Sequence, residues 1–299
     1  MGFVLTDLAL GRALAHRHAD LRTDAKWWQT TAQSPDTKVI VTNQAMIAVV
    51  GNSLKYVSPA DVADTTLAYL GEYEGTHFAT VLDDIENWPT DWQWENLRQL
   101  GKDLDALESG LATTAVALSN WHRNHTHCSR CGAETFVTHA GWVRQCPKDG
   151  SEHYPRMDNA IIVNVIDKAD RILLARQTVW AENHYSIVAG FVEPGETFEA
   201  AVAREVFEET GITITNPQIL GNQPWPFPAS MMLGFTAEAT TTDITVDGTE
   251  IADAQWFSRE ELIAACQQNL VQLPTRTSIA RRLIEHWFGS EISDDFTRR

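Results

Sequence analysis

The run from Gly190 to Ile212, GFVEPGETFEAAVAREVFEETGI, constrains the fold more than any other part of the chain. Its second half reads as a helix. At 100° per residue, Glu205, Glu208 and Glu209 fall within a single arc. Ala200, Ala203, Val206, Phe207 and Thr210 fall on the opposite side, the stripe expected to pack against a core. Thr197 suits the N-cap, Glu199 the first turn and Gly211 the C′ position. Before the helix, Gly190 and Pro194-Gly195 force a tight loop that brings backbone close to a ligand. The whole reads loop–helix–loop, with an exposed acidic face turned toward a concave site. Three carboxylates on one face repel one another, and a divalent cation with oxygen ligands relieves that repulsion. The competing reading is a solvated acidic helix face.

The chain has 299 residues, room for two modest domains or one large one. Hydrophobic residues at 43% and charged residues at 21% describe an ordinary soluble globular protein. No apolar stretch approaches membrane-spanning length, and the N-terminus MGFVLTDLALGRALAHRHAD lacks a signal-peptide pattern. The four cysteines divide into a metal group of three plus one, which points to the cytoplasm and not to a disulfide framework. Cys266, on an apolar helical face, reads as a buried small hydrophobe. A net charge of −17 argues against a dedicated nucleic-acid binder. It leaves a small anionic substrate open, because metal ions neutralise phosphates locally.

Along the chain, Val39 to Val41, Met46 to Val50 and Phe78 to Leu82 read as strands. Trp92 to Leu107 and Leu111 to Trp121 read as helices, broken near Ser109-Gly110. Trp27, Trp28, Trp88, Trp92 and Trp94 read as core or interface packing. A cysteine module follows. Cys128-Ser-Arg-Cys131-Gly has the form of a zinc knuckle, and Cys146-Pro-Lys-Asp149-Gly repeats it with aspartate where a fourth cysteine is expected. Cys128, Cys131, Cys146 and Asp149 form the preferred zinc set; His153, His127 or His139 could substitute, and a metal-free hairpin is the competing reading. Such a zinc is structural, its shell closed. From Tyr154 onward, Ala160 to Ile166 and Arg171 to Ala175 read as a hairpin turning at Asp167 to Asp170. Ser186 to Ala189, Leu233 to Ala237 and Ala254 to Phe257 read as further strands. Arg259 to Gln267 and Thr277 to Phe288 read as helices, and the tail from Gly289 as frayed.

The run Gly190–Ile212 resembles the Nudix box, G-x5-E-x7-R-E-U-x-E-E-x-G-U with U apolar. Gly190, Glu196, Arg204, Glu205, Val206, Glu208, Glu209, Gly211 and Ile212 fill its defined positions in turn. Behind it lies Asn222-Gln223-Pro224-Trp225-Pro226-Phe227-Pro228-Ala229-Ser230, prolines alternating with aromatics. That makes a stiff extended segment suited to stacking on bases, or else a loop whose aromatics plug the core. The segment resembles the QPWPFP-x-S array of the NADH pyrophosphatase group of Nudix hydrolases. The order N-terminal domain (1–122), zinc ribbon (123–154), Nudix domain (155–288) and tail (289–299) is similar to that group's.

The resemblance implies an α/β fold, a Nudix α/β/α sandwich around a mixed sheet, preceded by a zinc ribbon and a smaller N-terminal α+β domain. It implies a homodimer with sites near the subunit interface. It implies cleavage of NADH or NAD+ at the pyrophosphate to AMP and (reduced) nicotinamide mononucleotide, and removal of NAD caps from RNA 5′ ends. It also implies Mg2+ or Mn2+ on Glu205, Glu208 and Glu209, with Glu209 the most sensitive, and Glu250 completing the metal site. Phe191 matches the aromatic that stacks on nicotinamide, and Gln223, Trp225, Phe227 and Ser230 shape the pocket. Tyr154 and Ala280 are further contacts, while Arg204 and Glu196 brace the loop against the helix. The departure is Asp149. Metal-bound water attacking phosphorus needs no serine or cysteine nucleophile. The alternatives are a Nudix hydrolase of ADP-ribose or dinucleoside polyphosphates, and a non-catalytic nucleotide sensor.

Overall fold

The structure, a computed structural model, describes residues 4–83 and 88–297. The chain divides into two compact units. One comprises Leu10–Met157 with Pro224–Ser230; the other comprises Met1–Ala9, Asp158–Gln223 and Met231–Arg299.

In the first unit, α1 (Ala25–Gln33) precedes β1 (Lys38–Ile40), β2 (Met46–Val50), β3 (Leu67–Tyr73) and β4 (Thr76–Val81). β1 pairs parallel with β4, which pairs antiparallel with β3. Two apolar clusters hold the unit. Ile40, Ile47, Leu70 and Phe78 pack against Leu111, Ala112, Ala115 and Val116, while Val39, Val41, Ala48, Ala79 and Val81 form the second. The tryptophans pack as expected: Trp28, Trp88, Trp92 and Trp94 cover the second cluster, with Trp88 and Trp92 stacked at 5.1 Å.

The helix expected over Trp92 to Leu107 is not there. Residues Gln93–Asn96 form β5, antiparallel to β2 with Trp94 opposite Ala48. The pairing and the aromatic cluster outweigh helical spacing. A single turn, Leu97–Leu100, follows, with the Asn96 side chain accepting the Arg98 N–H. Helix α2 then runs unbroken over Ala106–Asn124, capped by Asp105. Gly110 does not break it. A Cβ there would lie 2.4 Å from the Arg12 carbonyl oxygen, so glycine admits a crossing segment of backbone. The ribbon is a three-stranded antiparallel sheet of β6 (Phe136–Thr138), β7 (Val143–Gln145) and β8 (Glu152–His153).

The second unit is a six-stranded sheet carrying helices on both faces. Its strands are β9 (Asp158–Ile166), β10 (Ile172–Gln177), β11 (Val188–Phe191), β12 (Ile214–Trp225), β13 (Ser230–Ala239) and β14 (Ile251–Phe257). The spatial order is β12-β13-β9-β10-β14, with β11 paired to β9. The helices are α3 (Phe198–Thr210), α4 (Arg259–Gln267) and α5 (Ile279–Phe288). β9 shows the sandwich directly. Ile161, Val163 and Val165 join Ala201, Val202 and Val206 of α3 in one core, and Ile162 joins Leu262, Leu283 and Ile284 in the other. Between the latter, the Asn164 amide donates to the Leu283 carbonyl at 3.1 Å.

The tail corrects its expectation. Ile292 is buried, Phe296 packs on the second core, and the Leu273 N–H donates to the Phe296 carbonyl at 2.8 Å. Arg281, 0% exposed, donates to the carbonyls of Pro274, Ile292 and Ser293 and to the Glu285 carboxylate. A buried guanidinium needs such acceptors, and the tail supplies the carbonyls of Ile292 and Ser293. Residues 298–299 of the expected frayed tail lie outside the described residues.

Candidate active site

The site is built where β11 hands the chain to α3. Thr197 caps the helix by accepting the Ala200 N–H, and Gly211 ends it in the left-handed conformation. The face assignment made from spacing is corrected. Ala201, Val202, Val206 and Thr210 are the buried stripe, whereas Ala200 and Ala203 are exposed and Phe207 is 56% exposed. The stripe is rotated toward the glutamates. Glu209 is only 5% exposed, Glu205 is largely covered, and Glu208 alone stands in solvent with a side chain 59% exposed. The three carboxylates therefore do not share one open face; two are drawn into the fold.

Gly190 explains how Glu205 fits. A Cβ at that position would lie 1.9 Å from the Glu205 carboxyl carbon. The box glycine is the absence of a side chain that lets a carboxylate lie against β11.

Arg204 ties the elements together. Its Nε and Nη2 grip the Glu196 carboxylate at 2.7 and 2.9 Å, and Nη2 also donates to the Phe191 carbonyl at 2.9 Å. Its Nη1 reaches Glu205 at 2.8 Å and Glu208 at 3.0 Å. The Glu196–Arg204 brace expected from the sequence is present, and the two links to the acidic cluster add to it. Glu196 is pulled down to about 2 by Arg204 and by the Glu193 N–H.

Glu209 is driven the other way. Burial first, and then the negative charges of Glu250, Glu205 and Asp247, push its carboxyl up to about 8. Burial also raises Glu205, against the opposing pull of Arg204. The donor set is oxygen only and electrostatically unsatisfied, which fits a hard divalent cation. Among the described residues the glutamates do not draw into one tight donor cluster, since Arg204 holds Glu208 and Glu205 from one side. Glu250 is exposed, on a loop whose shape is set by Asp247 accepting the N–H groups of Glu250 and Ile251. Asp247 was missed from sequence. Its signal is the Asp-Gly pair at 247–248, a turn former that aims the next residues.

The other expected residues fall in both units. In the unit of the box, Phe191 is 58% exposed at the end of β11. Gln223 is buried, its amide donating to the Thr277 carbonyl at 2.8 Å, and Ala280 is buried in the first turn of α5. Trp225, Phe227 and Ser230 belong to the first unit, as does Tyr154, which is exposed and donates to Glu152.

The cysteine module has the geometry to hold a metal ion. One donor atom from each of Cys128, Cys131, Cys146 and Asp149 lies within 4.8 Å of the others. Cys131 and Cys146 sulfurs are 3.5 Å apart, and Cys128 sulfur is 3.6 Å from Asp149 Oδ2. Edges of this length suit a tetrahedral ion with metal–sulfur distances of about 2.3 Å. The knuckles are built alike: Gly132 and Gly150, both at positive φ, donate to the carbonyls of Cys128 and Cys146. Asp149 Oδ1 accepts the Ser151 N–H and hydroxyl, which hold its carboxyl well below the ordinary range. His153 faces the Ser151 hydroxyl and His127 the Thr126 hydroxyl, so neither histidine joins the cluster.

Comparison with known proteins matches three stretches of the chain to family domains. Residues 155–283 match the NUDIX domain, 123–154 the NADH pyrophosphatase zinc ribbon domain, and 36–121 the NADH pyrophosphatase-like rudimentary NUDIX domain. An NAD-capped RNA hydrolase NudC of Mycobacterium bovis is 38% identical over 94% of this chain and 95% of its own length. This chain belongs to the NADH pyrophosphatase group of the Nudix hydrolase family. The NAD-capped RNA hydrolase NudC of Stutzerimonas stutzeri is 38% identical over 75% of this chain and 78% of its own. The NAD-capped RNA hydrolase NUDT12 of Macaca fascicularis is 34% identical over 76% of this chain and 54% of its own. Group membership extends to the N-terminal unit, whose relation to a Nudix domain no motif in the sequence reveals.

Proposed function

We infer that the protein hydrolyses the pyrophosphate of NAD(H), giving AMP and (reduced) nicotinamide mononucleotide, and removes NAD caps from RNA 5′ ends. The observation that carries this is the intact, braced Nudix helix in a chain aligned almost end to end with NAD-capped RNA hydrolases. Glu205, Glu208, Glu209 and Glu250 would hold the catalytic Mg2+ or Mn2+. When bound, such an ion would supply charge neutralisation at the diphosphate and a water acidic enough to act at neutral pH. The residues of the chain do the positioning. Arg204 fixes Glu205 and Glu208 relative to the β11 backbone, and Gly190 clears the space in which Glu205 lies. Burial of Glu209 among like charges creates the site at which a cation is most strongly needed. Phe191 offers an exposed ring for the nicotinamide, and Trp225 and Phe227 bound the dinucleotide. Cys128, Cys131, Cys146 and Asp149 would hold a structural Zn2+. The working form in this reading is a cytoplasmic homodimer; among the described residues no helix is long and apolar enough to cross a membrane.

Attack occurs at the AMP-side phosphorus. In 18O-labelled water the label then appears in AMP, and label confined to the nicotinamide product overturns that regiochemistry. Glu209→Gln is expected to lower kcat by about a hundredfold or more on NADH and on NAD-capped RNA at fixed Mn2+. Unchanged hydrolysis of both would remove the catalytic reading.

A further inference from the structure

We propose that the N-terminal unit is the clamp that shapes the substrate-selecting loop, with Arg98 and Asn120 as its positioning residues. The inference rests on the reading above, in which Trp225 and Phe227 bound the dinucleotide.

The loop leaves the catalytic sheet at the end of β12 and rejoins it at β13, yet Pro224–Ser230 is compact with Leu10–Met157. Its composition explains why it needs an external hold. Pro224, Pro226 and Pro228 carry no N–H, so half of the usual means of anchoring a hairpin loop is missing at alternate positions. Within the loop, the Phe227 N–H donates to the Trp225 carbonyl at 2.8 Å. The N-terminal unit supplies the rest. Asn120, on the nineteen-residue helix α2, donates from Nδ2 to the Pro226 carbonyl at 2.9 Å in a buried setting. Arg123 donates to Asn120 Oδ1 at 3.2 Å, which fixes the end of the amide that faces the loop. The Arg98 guanidinium lies 4.6 Å from the Phe227 ring centre and 6.0 Å from that of Trp225. The two rings stand edge to face at 5.0 Å and pack against the cluster containing Leu10, Leu97 and Ala115. One backbone bond, one cation on a ring and one apolar seat together set the orientation of both aromatics.

The glutamate cluster lies in the other unit and does not use Arg98 or Asn120. Their loss should therefore act on substrate recognition and spare the chemical step. The experiment compares Arg98→Ala/Asn120→Ala, Arg98→Lys and Trp225→Ala with the unchanged protein, each as full-length, zinc-replete enzyme. NADH and ADP-ribose serve as substrates, and near-UV circular dichroism and zinc content report the fold. The double variant and Trp225→Ala should each raise KM for NADH about tenfold with kcat within about twofold. Each should also lower the preference for NADH over ADP-ribose, and Arg98→Lys should keep most of it. If Trp225→Ala raises KM and the double variant does not, the clamp is overturned and the pocket reading stands. If Trp225→Ala itself leaves NADH recognition unchanged, both fall. An equal loss of kcat on both substrates means general damage, and also overturns the clamp.

Discussion

At the scale of single residues, the catalytic geometry depends on a side chain that is missing. Gly190 sits in β11 beside the Glu205 carboxylate, and any Cβ there would occupy the volume of that group. Gly190→Ala must push Glu205 away from β11, and Arg204 with it, because Arg204 is bonded to both Glu205 and the Phe191 carbonyl. The expected outcome is a fall in kcat of about a hundredfold at saturating Mn2+, with a lowered Tm because the covered Glu205 carboxylate must leave its place against the strand. Steady-state kinetics and a thermal melt on the same preparation check it. Unaltered kcat would show that Glu205 does not need its place against the strand. The box made this glycine visible in the sequence, but only as a loop former. Its reason is a tertiary approach between a strand and the next helix, which spacing does not encode. The rotated buried stripe of α3 has the same origin. Glu209 is carried inward because the helix turns its glutamates toward the sheet, against their own hydration.

At the scale of elements, local patterns served well where the element makes its own case. The β9–β10 hairpin, the capped helix α3, α4 and the two knuckles follow from turn residues, caps and periodicity. They failed where a neighbour decides. Gln93 to Asn96 joined a sheet because β2 offered a pairing edge, and Gly110 stayed in a helix because Arg12 backbone crosses it. The ribbon yields two predictions. Asp149→Ala removes an oxygen donor already oriented by Ser151, and should weaken zinc by about tenfold or more in a chelator competition. Asp149→Cys should retain one zinc per chain and hold it more tightly; loss of zinc from Asp149→Cys would exclude this position from the ligand shell. The second concerns the seam between α2 and the ribbon. His122 donates from Nε2 to the Gly141 carbonyl at 2.7 Å and accepts at Nδ1 from buried Arg144 at 3.1 Å, which requires a neutral ring. Burial first, and Arg144 after it, lower its pKa from 6.5 to about 4, against the pull of the Gly141 carbonyl. The folded pKa is depressed, so the unfolded chain takes up the proton first. Stability is full above pH 6.5 and declines as pH falls toward 4, by about 3 kcal/mol for this residue. Denaturant unfolding of this unit across that window should show the slope, and His122→Gln should flatten it whatever its effect at neutral pH.

At the scale of the whole molecule, the chain does not divide at one point. The first described residues belong to the catalytic unit: Leu5 N–H donates to the Leu220 carbonyl, and Leu8 is buried with Ile162, Leu220 and Leu283. Two positions on, Leu10 is buried in the other unit with Ile40, Leu97 and Ala112. Neither assignment is legible locally, because VLTDLAL shows only an apolar stretch and the partners lie more than a hundred residues away for Leu8. Gly221 records the crossing, since a Cβ there would lie 2.9 Å from the Leu5 carbonyl oxygen. Two neighbouring truncations should therefore destabilise different halves of the protein. Leu8→Ala and Leu10→Ala each leave a cavity costing about 2–4 kcal/mol, or a drop of about 10 °C in the melting of the unit concerned. Amide hydrogen exchange separates them. Leu8→Ala should accelerate exchange in peptides from 158–223 and 231–297, and Leu10→Ala in peptides from 10–157. If Leu8→Ala instead deprotects the N-terminal unit, its leucine does not belong to the catalytic core.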